Sequence, residues 1–186
     1  MNVKTIAVVI IFAALTIAFN LSPLKFPAPY APFLYYQIWE IPIVAAFLLF
    51  GTGVGILIAL INTTALLVLF PGALPTGPLY NLAAVLSMLL GIGIVKIVAK
   101  KHSSENEALV ASLFTISGLV LRTSVMGFLN YALLRFPPPV GYSMPEEAII
   151  STIPLVTIFN ITLALYTIPV GYSIAKTVTI SLKSLK

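Results

Sequence analysis

Two ionisable residues and four amides stand out within the apolar runs of this chain: Glu40, Arg122, Asn62, Asn81, Asn130 and Asn160. Inside hydrocarbon an ionisable group costs at least ~2.5 kcal/mol on insertion scales, so Glu40 and Arg122 must face a partner, a bundle interior or a water-filled cavity. Two chemistries fit. One is internal, a Glu40–Arg122 ion pair with interhelical amide bonds worth about 0.6 kcal/mol each. The other is a ligand site. There Glu40, Tyr80, Asn81, Asn130, Tyr131 and Asn160 form a hydrogen-bonding wall, and Arg122 neutralises a carboxylate or phosphate or pairs with Glu40. Beside these groups runs SPLKFPAPYAPFLYYQIW, Ser22 to Trp39, with the aromatic residues Phe26, Tyr30, Phe33, Tyr35, Tyr36 and Trp39. Such density suits an interfacial aromatic belt. It equally suits a lid in which Tyr35, Tyr36 and Trp39 stack on a flat ligand, and a lid at the membrane surface sits at belt depth.

Catalysis has little to work with. Acid–base or nucleophilic chemistry wants paired carboxylates or a Ser/His arrangement, and Glu40 is the only acidic residue at membrane depth. No catalytic residue is assigned, although an intramembrane enzyme stays in view as a minor class. The chain has no cysteine and one histidine, His102, so thiolate and histidine-built metal centres are not expected, nor is any cofactor. The glycine run Gly51-Thr52-Gly53-Val54-Gly55 is no phosphate cradle, because no Gly-Lys-Ser/Thr follows and apolar spans flank it.

The elements that must position these groups are membrane helices. Of 186 residues, 60% are hydrophobic and 8% charged, and the mean hydropathy is +1.10. That balance cannot form a soluble globule with a covered core. The expectation is an all-α membrane protein, one domain over residues 1–186, with six transmembrane helices. The first follows Lys4 and runs from Thr5 to Phe19 and on towards Leu21. A cleaved signal peptide is the weaker reading, since the apolar run continues and further spans follow. Ala14 and Ala18, with Ala7 nearby, put small residues on one face, where another helix can approach closely or the bundle can pack.

The second helix is expected from near Gln37 to Phe50, with Pro42 in its first turns where proline is tolerated. The third runs from Val54 to Phe70, long enough to cross a bilayer. The tight Gly51-Thr52-Gly53 turn makes these two antiparallel neighbours, and Gly51, Gly55 and Ala59 repeat the small-residue spacing. After Pro71-Gly72 and Pro75-Thr-Gly-Pro78, the fourth helix runs from Leu79 to Val98, towards Lys100, Lys101 and His102. A polar turn, Ser103 to Asn106, leads to the fifth, from Glu107 to Arg135. A proline-rich break at 136–145 precedes the sixth, which begins near Glu146 and leaves the membrane after Pro169.

Charge orients the bundle. Lys4, Lys96, Lys100, Lys101, Lys176, Lys183 and Lys186 fall on one side of a six-helix count, against Lys25 and Arg135 on the other. Short loops rich in lysine and arginine stay in the cytoplasm. Both termini are therefore expected to be cytoplasmic in a multi-pass protein of the cell membrane. The net charge of +5 reads as topology rather than as affinity for nucleic acid. The loops at 22–36, 71–78 and 136–146 then face outward, and the polar residues, Asn62 included, converge on the outer half. The inner half offers an ion no path, which argues against a channel or a proton-coupled carrier.

With those residues in place, the chain resembles the substrate-binding S components of energy-coupling factor (ECF) vitamin transporters. The resemblance rests on length, helix count, Ala14-Leu-Thr-Ile-Ala18 and the stretch IPIVAAFLLFGTGVGILIALINTTALLVLF, which is similar to a glycine-rich block of riboflavin-type members. Gly77-Pro78-Leu79-Tyr80-Asn81 follows an outer loop. Glu40 stands where an acidic residue precedes the proline of the second helix, while Tyr35-Tyr36-Gln37-Ile38-Trp39 departs from the pattern. The resemblance implies a subunit that binds a vitamin from outside and cannot transport it alone. It also implies partners: a transmembrane coupling subunit docking at Ala14 and Ala18, and two cytoplasmic ATPases. Riboflavin is the expected cargo, the dense aromatic loop favouring a flat ring, with thiamine, biotin, a pterin or a queuosine precursor still open. A nickel or cobalt carrier is disfavoured by the single histidine. The rival class is a non-catalytic assembly subunit of a membrane complex, in which substituting Asn81, Asn130 and Asn160 alters complex formation rather than ligand retention.

Overall fold

The computed structural model describes residues 2–69, 74–102 and 107–184, the last four of the second segment and the last two of the third by backbone alone. Pro71, Gly72, Ser103 to Asn106 and Lys186 lie outside the described residues, as do the side chains of Lys100, Lys101, His102 and Lys183. Of the chain, 79% is helical, in six helices, five of them long and apolar enough to span a membrane.

Helix α1, Val3–Leu21, is capped by Asn2, whose Oδ1 accepts from the Thr5 amide at 2.8 Å. It stops where Ser22 takes the extended backbone demanded before Pro23. The all-α expectation is corrected here. Strands β1, Phe26–Ala28, and β2, Ala31–Tyr36, form an antiparallel hairpin. The aromatic residues Phe26, Phe33, Tyr35 and Tyr36 suit a pleated surface, and Pro27 is tolerated because each strand of a two-stranded sheet has a free edge.

The second helix is also shorter than expected. Helix α2 spans Glu40–Phe50, eleven residues and about 16 Å, roughly half of the hydrocarbon thickness. The residues from Gln37 onward are drawn into the approach from the hairpin, and the Gln37 carbonyl accepts from the Tyr166 hydroxyl at 2.5 Å. Helix α2 ends at Gly51, whose φ of 102° lies in the left-handed region open to glycine. That single residue reverses the chain into α3, Thr52–Leu69. The two helices pack closely because Gly55 lacks a side chain: a Cβ there would stand 2.6 Å from the Phe47 Cβ.

Helices α4, Gly77–His102, α5, Glu107–Leu133, and α6, Glu146–Ser184, complete the chain. Helix α6 runs for 39 residues through Pro154 and Pro169, about 58 Å and so longer than a ~30 Å hydrocarbon core. Packing runs α4 to α5 to α6 to α2 to α3 and back to α4, a closed ring of five helices. Helix α1 lies outside it against α2 and α3. The shared core is apolar, with Ile43, Val44, Phe47, Ile58, Val85, Met88, Ile92 and Ile168 fully buried. Among the described residues, one side-chain hydrogen bond joins α1 to the ring, Asn20 Nδ2 donating to Asn62 Oδ1 at 3.5 Å.

Candidate functional site

At the hairpin end of the ring the helices part around a cavity of about 370 Å³, within the range of sites that hold small organic ligands. Its residues follow helical spacing. On α5, Arg122, Met126 and Asn130 lie at i, i+4 and i+8, and on α6, Val156, Asn160 and Leu163 share a face. Helix α4 contributes Pro78, Asn81 and Ala84, with Tyr80 alongside, and α2 contributes Glu40 from its first turn. A carboxylate is favourable there, beside the unsatisfied amides of a helix N-terminus. Leu34 and Tyr35 of β2, with Gln37 and Trp39, close the remaining side.

The floor is a buried, two-pronged ion pair. Arg122 Nη1 meets Glu40 Oε2 at 2.5 Å and Nη2 meets Oε1 at 2.9 Å, while Nε donates to Asn160 Oδ1 at 2.8 Å. Both residues are 2% exposed. Such a fork satisfies the guanidinium and carboxylate mutually and leaves the floor with no net charge. Asn160 and Asn130 each return an amide N–H to their own helix, at Val156 O (2.9 Å) and Met126 O (2.7 Å). The Gln37 Oε1 is buried and accepts no hydrogen bond from the described residues. An orphaned acceptor at a cavity wall calls for a donor from whatever fills the cavity.

The mouth is tied by hydroxyl groups. Thr76 Oγ1 donates to the Pro139 carbonyl, and Tyr80 OH donates to the Val140 carbonyl at 2.7 Å, clasping the start of α4 to the α5–α6 loop. On the hairpin, the Tyr30 and Tyr36 hydroxyls lie 2.5 Å apart. Partial burial, and second the Tyr36 hydroxyl, push the Tyr30 phenol up to about 12, so Tyr30 stays protonated through the physiological range.

Eight of the ten residues singled out from the sequence for a ligand wall or lid line this cavity: Tyr35, Trp39, Glu40, Tyr80, Asn81, Arg122, Asn130 and Asn160. Two do not. The Tyr36 ring packs instead on Phe159, 5.0 Å between centroids, and against Tyr166. Tyr131 donates to Glu146 Oε1 at 3.1 Å and lies under the Arg135 guanidinium at 4.9 Å. Asn62, expected on the outer half with the others, pairs with Asn20 away from the cavity. Sequence reasoning missed Gln37, Met126, Tyr142 and Phe159. Met126 was within reach, midway between Arg122 and Asn130 on one helix face. Tyr142 comes from a loop whose path no periodicity encodes. Ala14 and Ala18 lie on the exposed face of α1, together with Ala7, Ile11 and Leu15.

No protein-family model matches the sequence, and no curated protein matches it. Among solved structures, the S component of a bacterial ECF transporter superposes with a TM-score of 0.76 at 21% identity, covering 97% of this chain and 98% of that one. The two share a fold from end to end.

Proposed function

We propose that this chain, which has the fold of an ECF S component, is the substrate-binding subunit of an ECF-type vitamin transporter, with riboflavin as its cargo. The observation carrying this reading is the 370 Å³ cavity itself, with its neutral ion-pair floor, amide walls and aromatic hairpin. Riboflavin is an uncharged molecule with a flat fused ring and an imide edge that both donates and accepts. Trp39, Tyr35 and Phe159 supply ring faces. Asn81, Asn130, Asn160 and Gln37 supply amide groups for the polar edge. Because Glu40 already neutralises Arg122, a carboxylate or phosphate has no free countercharge on the floor, which ranks an uncharged ring above biotin.

In this reading the hairpin end faces outward, both termini are cytoplasmic, and the protein is a non-enzymatic, multi-pass subunit of the cell membrane. Its partners are a transmembrane coupling subunit, docking on the Ala14 and Ala18 face of α1, and two cytoplasmic ATPases that supply hydrolysis. The first experiment is identification of any small molecule that co-purifies with the detergent-solubilised protein, by absorption, fluorescence and mass spectrometry. A stoichiometric flavin supports both class and cargo; a different vitamin corrects the cargo. A clean preparation in which the single tryptophan, Trp39, shows no quenching by any of a panel of vitamins favours the assembly-subunit reading.

Two further outcomes are expected. Ala14→Trp abolishes uptake by whole cells and leaves equilibrium binding by the purified subunit intact; loss of both identifies a folding role. Tyr80→Phe removes the clasp to Val140, a bond worth about 1 kcal/mol, and so speeds ligand release about fivefold in stopped-flow fluorescence. An unchanged off-rate would show that the clasp does not hold the mouth.

A further inference from the structure

At the opposite end of α2 from the ligand cavity, a groove of about 710 Å³ opens between α3 and α4. Its floor is the Phe47 ring, and its walls are apolar, among them Ile56 from α3 with Leu90, Ile94 and Ile97 from α4. Gly93 leaves the wall recessed, a Cβ there standing 3.5 Å from the Phe47 ring. The side-chain polar groups lining it, Thr52 and Lys96, lie towards one end of the bundle, Lys96 two residues before the end of the apolar span Gly77–Val98.

Lys96 is fixed rather than free to snorkel. Its Nζ donates to the Phe47 carbonyl at 3.3 Å and the Leu48 carbonyl at 3.2 Å, at the C-terminus of α2, and sits 5.5 Å from the Phe47 ring centroid. An ammonium has three N–H groups, so these two carbonyls leave one. No described carboxylate answers its charge. A neighbouring cavity of about 330 Å³ also reaches Lys96, but its acid, Glu107, is paired with Lys176.

We propose that this groove binds an anionic phospholipid of the adjacent leaflet. One acyl chain lies along α3 and α4 over Phe47, and the headgroup phosphate accepts the remaining Lys96 N–H. An apolar trough ending in a fixed, uncompensated cation at interfacial depth complements a molecule with a long hydrocarbon tail and one negative charge. A zwitterionic lipid carries its own cation to the same place, so net charge decides the preference. The sequence adds Lys100 and Lys101 just beyond, and each basic residue near a leaflet surface favours anionic lipid by about fivefold.

The test is native mass spectrometry of the purified, detergent-solubilised protein titrated with palmitoyl-oleoyl phosphatidylglycerol or with phosphatidylcholine of the same chains. Wild type is expected to retain the phosphatidylglycerol at least about fivefold more strongly. In Lys96→Met the preference falls about fivefold. Because two lipids are compared on one protein, loss of the α2 cap cancels from the ratio. Gly93→Leu fills the groove with Lys96 in place and is expected to lose retention of both lipids while keeping vitamin binding at the far end. Equal retention of the two lipids by wild type overturns the proposal. So does an undiminished preference in Lys96→Met, or wild-type retention in Gly93→Leu, the last outcome leaving the groove to a helix of another protein.

Discussion

Arg122→Met is expected to cost the folded bundle about 3–5 kcal/mol, because it strands the Glu40 carboxylate in a buried site without its partner. The surroundings offer little relief. The other donor groups near Glu40 are partly or wholly engaged: Asn160 gives one amide N–H to Val156 O, and the Tyr166 hydroxyl is committed to the Gln37 carbonyl. The double variant Glu40→Leu/Arg122→Met removes both charges, and replacing a buried pair by apolar residues is neutral or stabilising by ~1–4 kcal/mol. Thermal unfolding in detergent should therefore fall sharply for the single variant and recover for the double. Ligand retention should recover in neither, because the polar floor of the cavity is gone. A single variant as stable as wild type would mean that water reaches the pair and carries the charge. A double variant that still binds would remove the floor from the site.

Gly91→Leu is expected to be nearly as damaging, by geometry alone. A Cβ at position 91 would lie 2.6 Å from the Ser117 carbonyl carbon and 2.8 Å from the Gly118 Cα, both backbone atoms of α5. Backbone cannot turn aside as a side-chain tip can, so α4 and α5 must separate. Separation also breaks the bond from Ser117 Oγ to the Gly91 carbonyl, 2.9 Å long. Overpacking of this kind costs about 3 kcal/mol at the upper end of the usual range, and lost contact adds to it. Ligand affinity should drop with stability, since Arg122 and Asn130 ride on α5 while Tyr80 and Asn81 ride on α4. Gly127→Ala is the control: a Cβ there meets nothing within 4 Å, and no loss of stability is expected.

What the sequence discloses and what it hides divide along physical lines. The long helices are written in uninterrupted apolar runs closed by Pro, Gly or lysine clusters, so α3, α5 and α6 begin within two residues of their expected starts. Helix α2 carries no such length signal. Its eleven residues continue an aromatic stretch that reads equally as helix or strand, and its boundary was set by hairpin pairing and by Tyr166, contacts distant in sequence. The hairpin was hidden by its own prolines. Within the site, Glu40 and Arg122 stood out because burial of charge is costly, but that cost fits a mutual pair or a ligand equally, and the structure makes the pair. Tyr36 and Tyr131 are aromatic and nearby in sequence but point to Phe159 and Glu146. Direction around a helix or across a strand is decided by neighbours. Composition cannot encode it.

The cavity takes no residue from α1, which lies outside the closed ring. The first helix is thus an outrigger, and the other five form the hull. A load on α1 passes to α2 and α3 through side-chain packing and the Asn20–Asn62 contact, without crossing the ion pair or the amide walls. A pull on the outrigger therefore bears on the hull from outside, and the cavity walls stand clear of its line.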